Sequence, residues 1–341
     1  MLNSEIDEAM AAHSNALSGI WRLIRRVQRD DALVESEREE ALRRLFSCLS
    51  FKDVRQTFVM DAIRLDMGVS FRSSMSGMMR LKSRMRRNGY NIAPGSNDKT
   101  RDLAFGSKLG LAVPTVMQEN VAAESVHVSE NVFIKPSEGS NSRGVFYVDD
   151  AKAVHSIRSK EVYSSFEEAL SELDGKFLKQ NWTVEEAIVG PGGGPARDMK
   201  VFMFYGVVGG FLEIDRSPNS SGKNRYAGYD ATGARRDMSP NHQPMEGIGV
   251  PPDVVNAART IALNTPTPFL RVDFLVGAER SYLGEITPHP GNTYAGDLFE
   301  DIDRELGEMF LDAEARLFID LYNGKKFDLY EEVYQPGPVY P

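Results

Sequence analysis

Ile6, Met10, Leu17, Ile20, Ile24 and Val27 recur at helical spacing, which predicts a helix with one buried stripe. Ser4 with Asp7 predicts a capping box in which Asp replaces the usual Glu. A second helix, rich in Glu and Arg, is expected from Ser36 to Leu49. A third follows from a Ser50–Asp53 cap to about Leu65, and a fourth, rich in Met and Arg, from Ser76 to Arg87. From about residue 96 the texture changes. Residues 113–114, 132–135, 144–148, 177–178, 184–188, 200–205 and 207–214 read as strands or turns, and 153–157 and 165–173 as helices. Residues 215–250 are polar and aperiodic, the mark of a functional or disordered loop. Pro252 to Leu263 and Asp301 to Leu321 predict helices, and the proline-bearing tail from Tyr334 to Pro341 an extended end.

The most informative pattern lies at Phe269-Leu-Arg-Val-Asp-Phe-Leu-Val276 and Ser281-Tyr-Leu-Gly-Glu-Ile-Thr287. Two apolar, β-branched runs flank a short polar turn, which predicts a hairpin. Folded back, Asp273 and Glu285 can lie side by side. Arg271 shares the face of Asp273 by the two-residue strand period. Unpaired carboxylates in a half-buried sheet are costly, and a hard cation relieves the cost. Mg²⁺ is held by one or two carboxylates plus substrate phosphates, so the hairpin predicts a Mg-nucleotide site.

Composition narrows the alternatives. The 341 residues suggest two domains, or three small ones, and a large core. A net charge of −9 disfavours a general nucleic-acid binder. The single cysteine, Cys48, forms no internal disulfide and is expected to be buried packing. No run approaches a membrane span and the acidic N-terminus does not read as a signal peptide, so a cytoplasmic protein is expected.

Three further segments carry candidate chemistry. In Val132-Phe-Ile-Lys-Pro-Ser-Glu-Gly-Ser-Asn-Ser-Arg-Gly-Val145 a strand delivers Lys135 to a small polar loop with Ser137, Gly139, Ser140, Asn141 and Gly144. Glycine lets backbone N–H groups approach phosphate, and serine adds donors. A hairpin turn with a chance lysine explains the same text. Around the Pro191–Pro195 glycine break, backbone groups beside Glu186 (Ala187 and Ile188) can meet an adenine edge. Asp198 can accept from ribose, and Lys200, on the same face, can reach phosphate. A hairpin with a surface ion pair is the plainer alternative. Lys99 starts a helix, where an anion is welcome, although a solvated capping cluster accounts for it equally.

A helix-start lysine, a strand lysine with a Gly/Ser loop, an acid-rich hinge, then Arg-x-Asp and Gly-Glu-x-Thr follow in that order. This layout resembles the ATP-grasp ligases from about Ser96 to about Asp303, and within them the TupA-like branch named for teichuronopeptide biosynthesis. The matching text is Asp98-Lys99, Phe133-Ile-Lys-Pro136, Val184-Glu-Glu186, Asp198-Met-Lys-Val-Phe202, Arg271-Val-Asp-Phe274 and Gly284-Glu-Ile-Thr287. The resemblance implies an α/β (α+β) ATP-grasp fold, with two α+β subdomains gripping ATP. Residues 1–95 would form a helical domain, 96–183 the central (lid) subdomain and 184–341 the C-terminal subdomain with the metal site.

It also implies roles. Lys99 and Lys135 would hold the α- and β-phosphates, and the loop from Ser137 to Gly144 would close over the β- and γ-phosphates. Glu186, Ala187 and Ile188 would hold adenine, and Asp198 the ribose. Asp273 and Glu285 would bind Mg²⁺, joined by Thr287 where many members of the superfamily have Asn. Arg271 and Lys200 would face the transferred phosphoryl group. The helical first 90 residues depart from the α/β domain that precedes the ATP-binding region in the best-known members. The implied chemistry is ATP- and Mg²⁺-dependent carboxylate–amine ligation through an acyl phosphate, on small-molecule, peptide or glycan substrates of the cell envelope or of secondary metabolism. A kinase-like phosphotransferase and a non-catalytic nucleotide-binding protein are the rivals.

On the substrate side, Arg72 to Arg87 carries six positive charges on an acidic chain. An amphipathic helix with a Met-lined core face explains this stripe, and docking of an anionic acceptor is the sharper reading. Nucleic acid is disfavoured because aromatic interleaving is thin. Arg225, Arg235 and Arg236 mark the 216–245 loop as a lid or a disordered segment. His289 reads as a turn residue, a base or a substrate contact. The oligomeric state stays open, a homodimer included.

Overall fold

The computed structural model describes residues 2–50, 53–65, 67–95, 99–137, 143–191, 193, 196–215, 224–290 and 298–334. The chain forms two compact units, Met1–Ser73 and Ser74–Pro341. The predicted phosphate-loop residues Gly139, Ser140 and Asn141, together with Asp98 and Arg216, lie outside the described residues.

The first unit contains α1 (Leu2–Gln28), α2 (Glu35–Ser47), a short 3₁₀ turn (Gln56–Phe58) and α3 (Val59–Arg64). Its core is Trp21, Ile24, Leu42, Phe46, Leu49, Ala62 and Leu65. Trp21 stacks on Phe58 with ring centroids 5.1 Å apart and meets Phe46 edge-on at 6.2 Å. Three expectations are corrected here. Ser4 and Asp7 lie inside α1, which begins at Leu2. The Ser50 hydroxyl does meet Asp53, but the pair precedes a helix that starts only after Phe58. Cys48 is exposed at the end of α2, because the buried stripe runs through Leu42 and Phe46 instead.

In the second unit, α4 (Phe71–Arg87), which begins at the boundary, buries Met75 and Met78. Met79 is 53% exposed, and Arg80, Arg84, Arg86 and Arg87 are exposed. After α5 (Lys99–Lys108) come β1 (Val116–Ala122), β2 (Val132–Pro136), β3 (Phe146–Val148), β4 (Val154–Ser156) and β5 (Val162–Tyr163). Then follow α6 (Phe166–Ser171), α7 (Gly175–Leu178) and β6 (Asn181–Glu186). These six strands form one antiparallel sheet in the order β1-β6-β2-β3-β4-β5, over a core that includes Phe146, Phe166 and Trp182.

β7 (Arg197–Phe204), β8 (Val207–Asp215), β9 (Arg225–Tyr229), α8 (Pro252–Leu263), β10 (Phe269–Val276) and β11 (Ser281–Thr287) precede α9 (Glu300–Tyr322) and α10 (Asp328–Tyr334). The second sheet has the order β11-β10-β7-β8-β9. Residues 153–157 hold strand β4, not a helix, because Val154 and Ser156 are buried alternately while pairing with β3. Phe177 and Leu178 belong to a helical turn rather than a strand. Residues 113–114 lie ahead of the strand, which starts at Val116. The polar 215–250 stretch contains β9, recruited by pairing with β8.

Candidate active site

The predicted hairpin forms from β10 and β11, and its register decides the site. Val276 pairs with Ser281, Leu275 with Tyr282 and Phe274 with Leu283, but Asp273 pairs with Glu285. Gly284 is therefore the extra residue of a β-bulge. Beyond the hairpin, Asp273 is also opposite Lys200 of β7, and Lys200 is opposite Leu212 of β8. Glu285, Asp273, Lys200 and Leu212 thus form one row across four strands, and Asp198 and Ile214 pair two positions along, on the same face. Leu212 and Ile214 are buried.

Buried ion pairs organise this row. The Arg271 guanidinium grips Asp273 with two bonds, Nε to Oδ1 at 2.7 Å and Nη2 to Oδ2 at 2.8 Å. Its Nη1 donates to the Pro290 carbonyl at 2.8 Å, and Nη2 also reaches the Thr287 hydroxyl at 3.3 Å. Lys200 Nζ bonds Asp273 Oδ2 and lies 3.2 Å from Asp198 Oδ1. Burial by itself would raise the Asp273 carboxyl. The charges of Arg271 and Lys200 overcome it and hold Asp273 well below the usual carboxylate range. The predicted residues Arg271, Asp273, Thr287, Lys200 and Asp198 are thus one connected cluster.

The six-stranded sheet and α5 contribute cations. Lys135 is partly buried and pairs with Glu185 of β6, a partner that strand alternation alone did not single out. Burial lowers the Lys135 pKa, Glu185 raises it, and Lys99 and Glu285 also act on it electrostatically. Lys99 of α5 and Glu285 of β11 are thus within electrostatic reach of Lys135. Ser137 lies at the end of β2, with its hydroxyl 3.1 Å from that of Thr183 and its N–H donating to the Asn181 carbonyl at 2.8 Å. Gly144 has φ +69°, and a Cβ there would meet Pro136 at 3.0 Å and the Phe177 ring at 3.3 Å, so both conformation and space favour glycine.

The hinge residues follow β6. Glu186 is tied to Thr115 by its backbone N–H and by Oε1, which accepts from the Thr115 N–H at 2.9 Å. The Ala187 N–H donates to the Asn131 carbonyl, and the Ile188 carbonyl accepts from Ala196 at 3.0 Å. These bonds hold the connection between the two sheets in a defined shape. Past β11, half-buried His289 has a lowered pKa from burial and from the nearby charges of Lys82 and Arg271. Lys82 itself, donating to the Pro94 carbonyl at 2.7 Å, is lowered to about 8 by burial and by Arg86.

Sequence reasoning gave no role to Asp102 and none of their own to Glu185 and Gly284, and it read Tyr334 as the start of an extended tail, whereas Tyr334 closes α10. Asp102 was detectable as an acid in the first turn of α5. Its partners, 184 and 232 residues away, were not.

Both oxygens of Asp273 are held by Arg271 and Lys200, so a cation there would share that carboxylate with them. Among the described residues no group of three or more His, Cys, Asp or Glu is placed to hold a metal. Asp273 and Glu285 are opposed in register, and the Thr287 hydroxyl meets the same Arg271 that grips Asp273, so two carboxylates and a hydroxyl, the oxygen donors a hard cation takes, lie on neighbouring strands.

The second unit thus carries two antiparallel sheets, one of which holds the Arg271–Asp273–Lys200 cluster. A family model described as TupA-like ATPgrasp matches residues 84–311, and the chain belongs to that family. No curated protein matches the chain. Among solved structures it is similar to the ATP-grasp ligase PsnB, complexed with a phosphomimetic variant of its minimal precursor, Mg and ADP. Identity is 14% and the TM-score 0.37, over 64% of this chain and 59% of that one. It is similar to D-alanine–D-alanine ligase from Bacillus anthracis at 18% identity and TM-score 0.40, over 71% and 77% of the two chains. For D-cycloserine synthetase DcsG the values are 18% and 0.38, over 64% and 70%.

Proposed function

We propose that the protein is an ATP- and Mg²⁺-dependent ligase that joins a carboxylate to an amine. The observation that carries this reading is the Asp273–Glu285 pair on one sheet face, with Arg271 and Lys200 beside it and Lys135 facing it electrostatically. Lys99, Lys135, Ser137 and the Gly139–Gly144 loop hold the triphosphate. Glu186, Ala187 and Ile188 hold adenine, and Asp198 holds the ribose. Asp273, Glu285 and Thr287 hold Mg²⁺, which supplies charge neutralisation when bound. Residues 96–183 act as the lid and 184–341 as the half that carries the metal.

Arg271 and Lys200 stabilise the charge on the phosphoryl group in flight. The γ-phosphoryl group passes to a substrate carboxylate oxygen, releasing ADP and leaving an acyl phosphate. The amine attacks the acyl carbon, phosphate leaves, and the amine proton passes to solvent or base. The substrates belong to cell-envelope glycan or peptide conjugates or to secondary metabolites, with an anionic acceptor near the basic face of α4. The work is cytoplasmic.

Product analysis across paired carboxylates and amines tests the reading. A ligase releases ADP and free phosphate only when both partners are present. ADP without free phosphate, from one acceptor, would establish a phosphotransferase instead. Nucleotide binding without turnover on any pair would leave a non-catalytic binding protein.

A further inference from the structure

Asp102 is fully buried on α5, where an ionised carboxylate is expensive unless its oxygens are bonded. One oxygen, Oδ2, accepts from the backbone N–H of Ile286 at 2.9 Å. The other accepts from the Tyr334 hydroxyl of α10 at 2.7 Å. Ile286 is the residue between Glu285 and Thr287, and β11 is the edge strand of its sheet. The outward N–H groups of an edge strand need partners. Here Asp102 takes that of Ile286, and the Ala112 carbonyl takes that of Leu283 at 2.9 Å.

The seam around these bonds is tight. A Cβ on Gly106 of α5 would fall 2.3 Å from Leu283 Cδ2, so helix and strand meet with no room between them. Phe105 packs edge-on against Tyr330 and Tyr334, with centroids 6.2 and 5.6 Å away. Lys99 sits three residues before Asp102, on the same side of the helix. Lys99 and Glu285 both act on Lys135. The helix that carries Lys99 and the strand that carries Glu285 are thus locked together at one buried carboxylate.

We propose that Asp102 is a positioning residue of the nucleotide site. Its carboxylate sets the separation between Lys99 and the Glu285–Thr287 segment, and so couples phosphate binding to metal binding. This inference rests on the proposed roles of Lys99 and Glu285.

The test compares ADP binding by titration calorimetry, with and without Mg²⁺, alongside thermal melts, for wild type and three variants. Asp102→Ala loses both bonds and is expected to weaken Mg²⁺-dependent ADP binding about ten- to hundredfold, the effect typical of groups that orient metal ligands. In Asp102→Asn the side-chain oxygen still accepts from Ile286 and the amide donates to the Tyr334 oxygen, so binding is expected to return close to wild type. Val254→Ala, a buried truncation on α8, controls for lost stability. It is expected to lower the melting temperature while leaving ADP affinity unchanged. If Asp102→Ala binds like wild type, or no worse than Val254→Ala at a matched loss of melting temperature, the positioning role is overturned. If wild type itself binds no ADP with Mg²⁺, the proposed function falls first, and this inference with it.

Discussion

Glu285 stands opposite Asp273 because Gly284 is bulged out of the ladder between them. The pairs from Val276–Ser281 to Phe274–Leu283, continued without interruption, would place Gly284 opposite Asp273 and Glu285 opposite Val272. Side chains alternate between faces, so the second carboxylate would then point away from the first. One extra residue in β11 decides whether the two acids share a face.

This makes an unusual prediction about length. Deleting Gly284 puts Glu285 directly after Leu283, still opposite Asp273, and leaves the Ile286 and Thr287 pairings intact. Because the side-chain face of Glu285 is unchanged, Mg²⁺-dependent ADP binding is expected to survive the deletion. Inserting one alanine after Gly284 is expected to abolish it. Calorimetric titration of both variants decides. A deletion as damaging as the insertion would mean that the bulge aims Glu285 by its twist rather than by register.

The two carboxylates should respond differently to neutralisation. Asp273→Asn removes the carboxylate charge shared by buried Arg271 and Lys200, and breaking a buried ion pair from one side costs about 3–5 kcal/mol. Glu285 is half-buried and carries no such pair among the described contacts, so Glu285→Gln should fold normally. It is expected to lose Mg²⁺-dependent nucleotide turnover. Circular dichroism melts with an ADP-release assay separate the two effects, and normal turnover in Glu285→Gln would refute the metal assignment.

Lys135 and Glu185 form a second, largely buried pair. Lys135→Met leaves Glu185 uncompensated, and a loss of about 3 kcal/mol in denaturant unfolding is expected. Adding Glu185→Met to the same chain should recover most of that stability, because apolar residues of similar volume replace buried pairs well. The double variant should still bind ADP weakly, since Lys135 is assigned to phosphate. Recovered binding together with recovered stability would make Lys135 purely structural.

Glu213 predicts a pH effect on the opposite face of the second sheet. Burial raises its pKa, against the Tyr229 hydroxyl at 2.8 Å, the Ile248 N–H at 2.9 Å and the charges of Arg197 and Arg235. A carboxyl whose folded pKa exceeds its unfolded value stabilises the fold when protonated. That contribution is lost as pH rises through the folded pKa. Glu213→Gln removes the titration, so its melting temperature should gain on wild type between pH 4.5 and pH 7.5. Each 1 kcal/mol is worth about 2–4 °C in a unit of this size. A difference that stays constant with pH would contradict the raised pKa.

Elements held by local pattern were legible. Pro252–Leu263 matches its helix end for end, and both strands of the β10–β11 hairpin match theirs, because apolar spacing and turn residues act within a few positions. Arg271 and Asp273 share a face for the same reason. Short strands were the failures. Val154–Ser156 read as a helix and Arg225–Tyr229 as loop, since strands of three to five residues exist only through the neighbours they pair with.

By itself, the chain determined which chemistry is present: the order of lysines, hinge acids, Arg-x-Asp and Gly-Glu-x-Thr that places it with the TupA-like ATP-grasp proteins. Tertiary structure alone decided how those groups are aimed. Register at Gly284, the pairing of Lys135 with Glu185 and the grip of Asp102 on Ile286 join residues from 12 to 184 positions apart. Such contacts are selected by packing and by the need to satisfy buried polar groups, and neither leaves a period in the sequence.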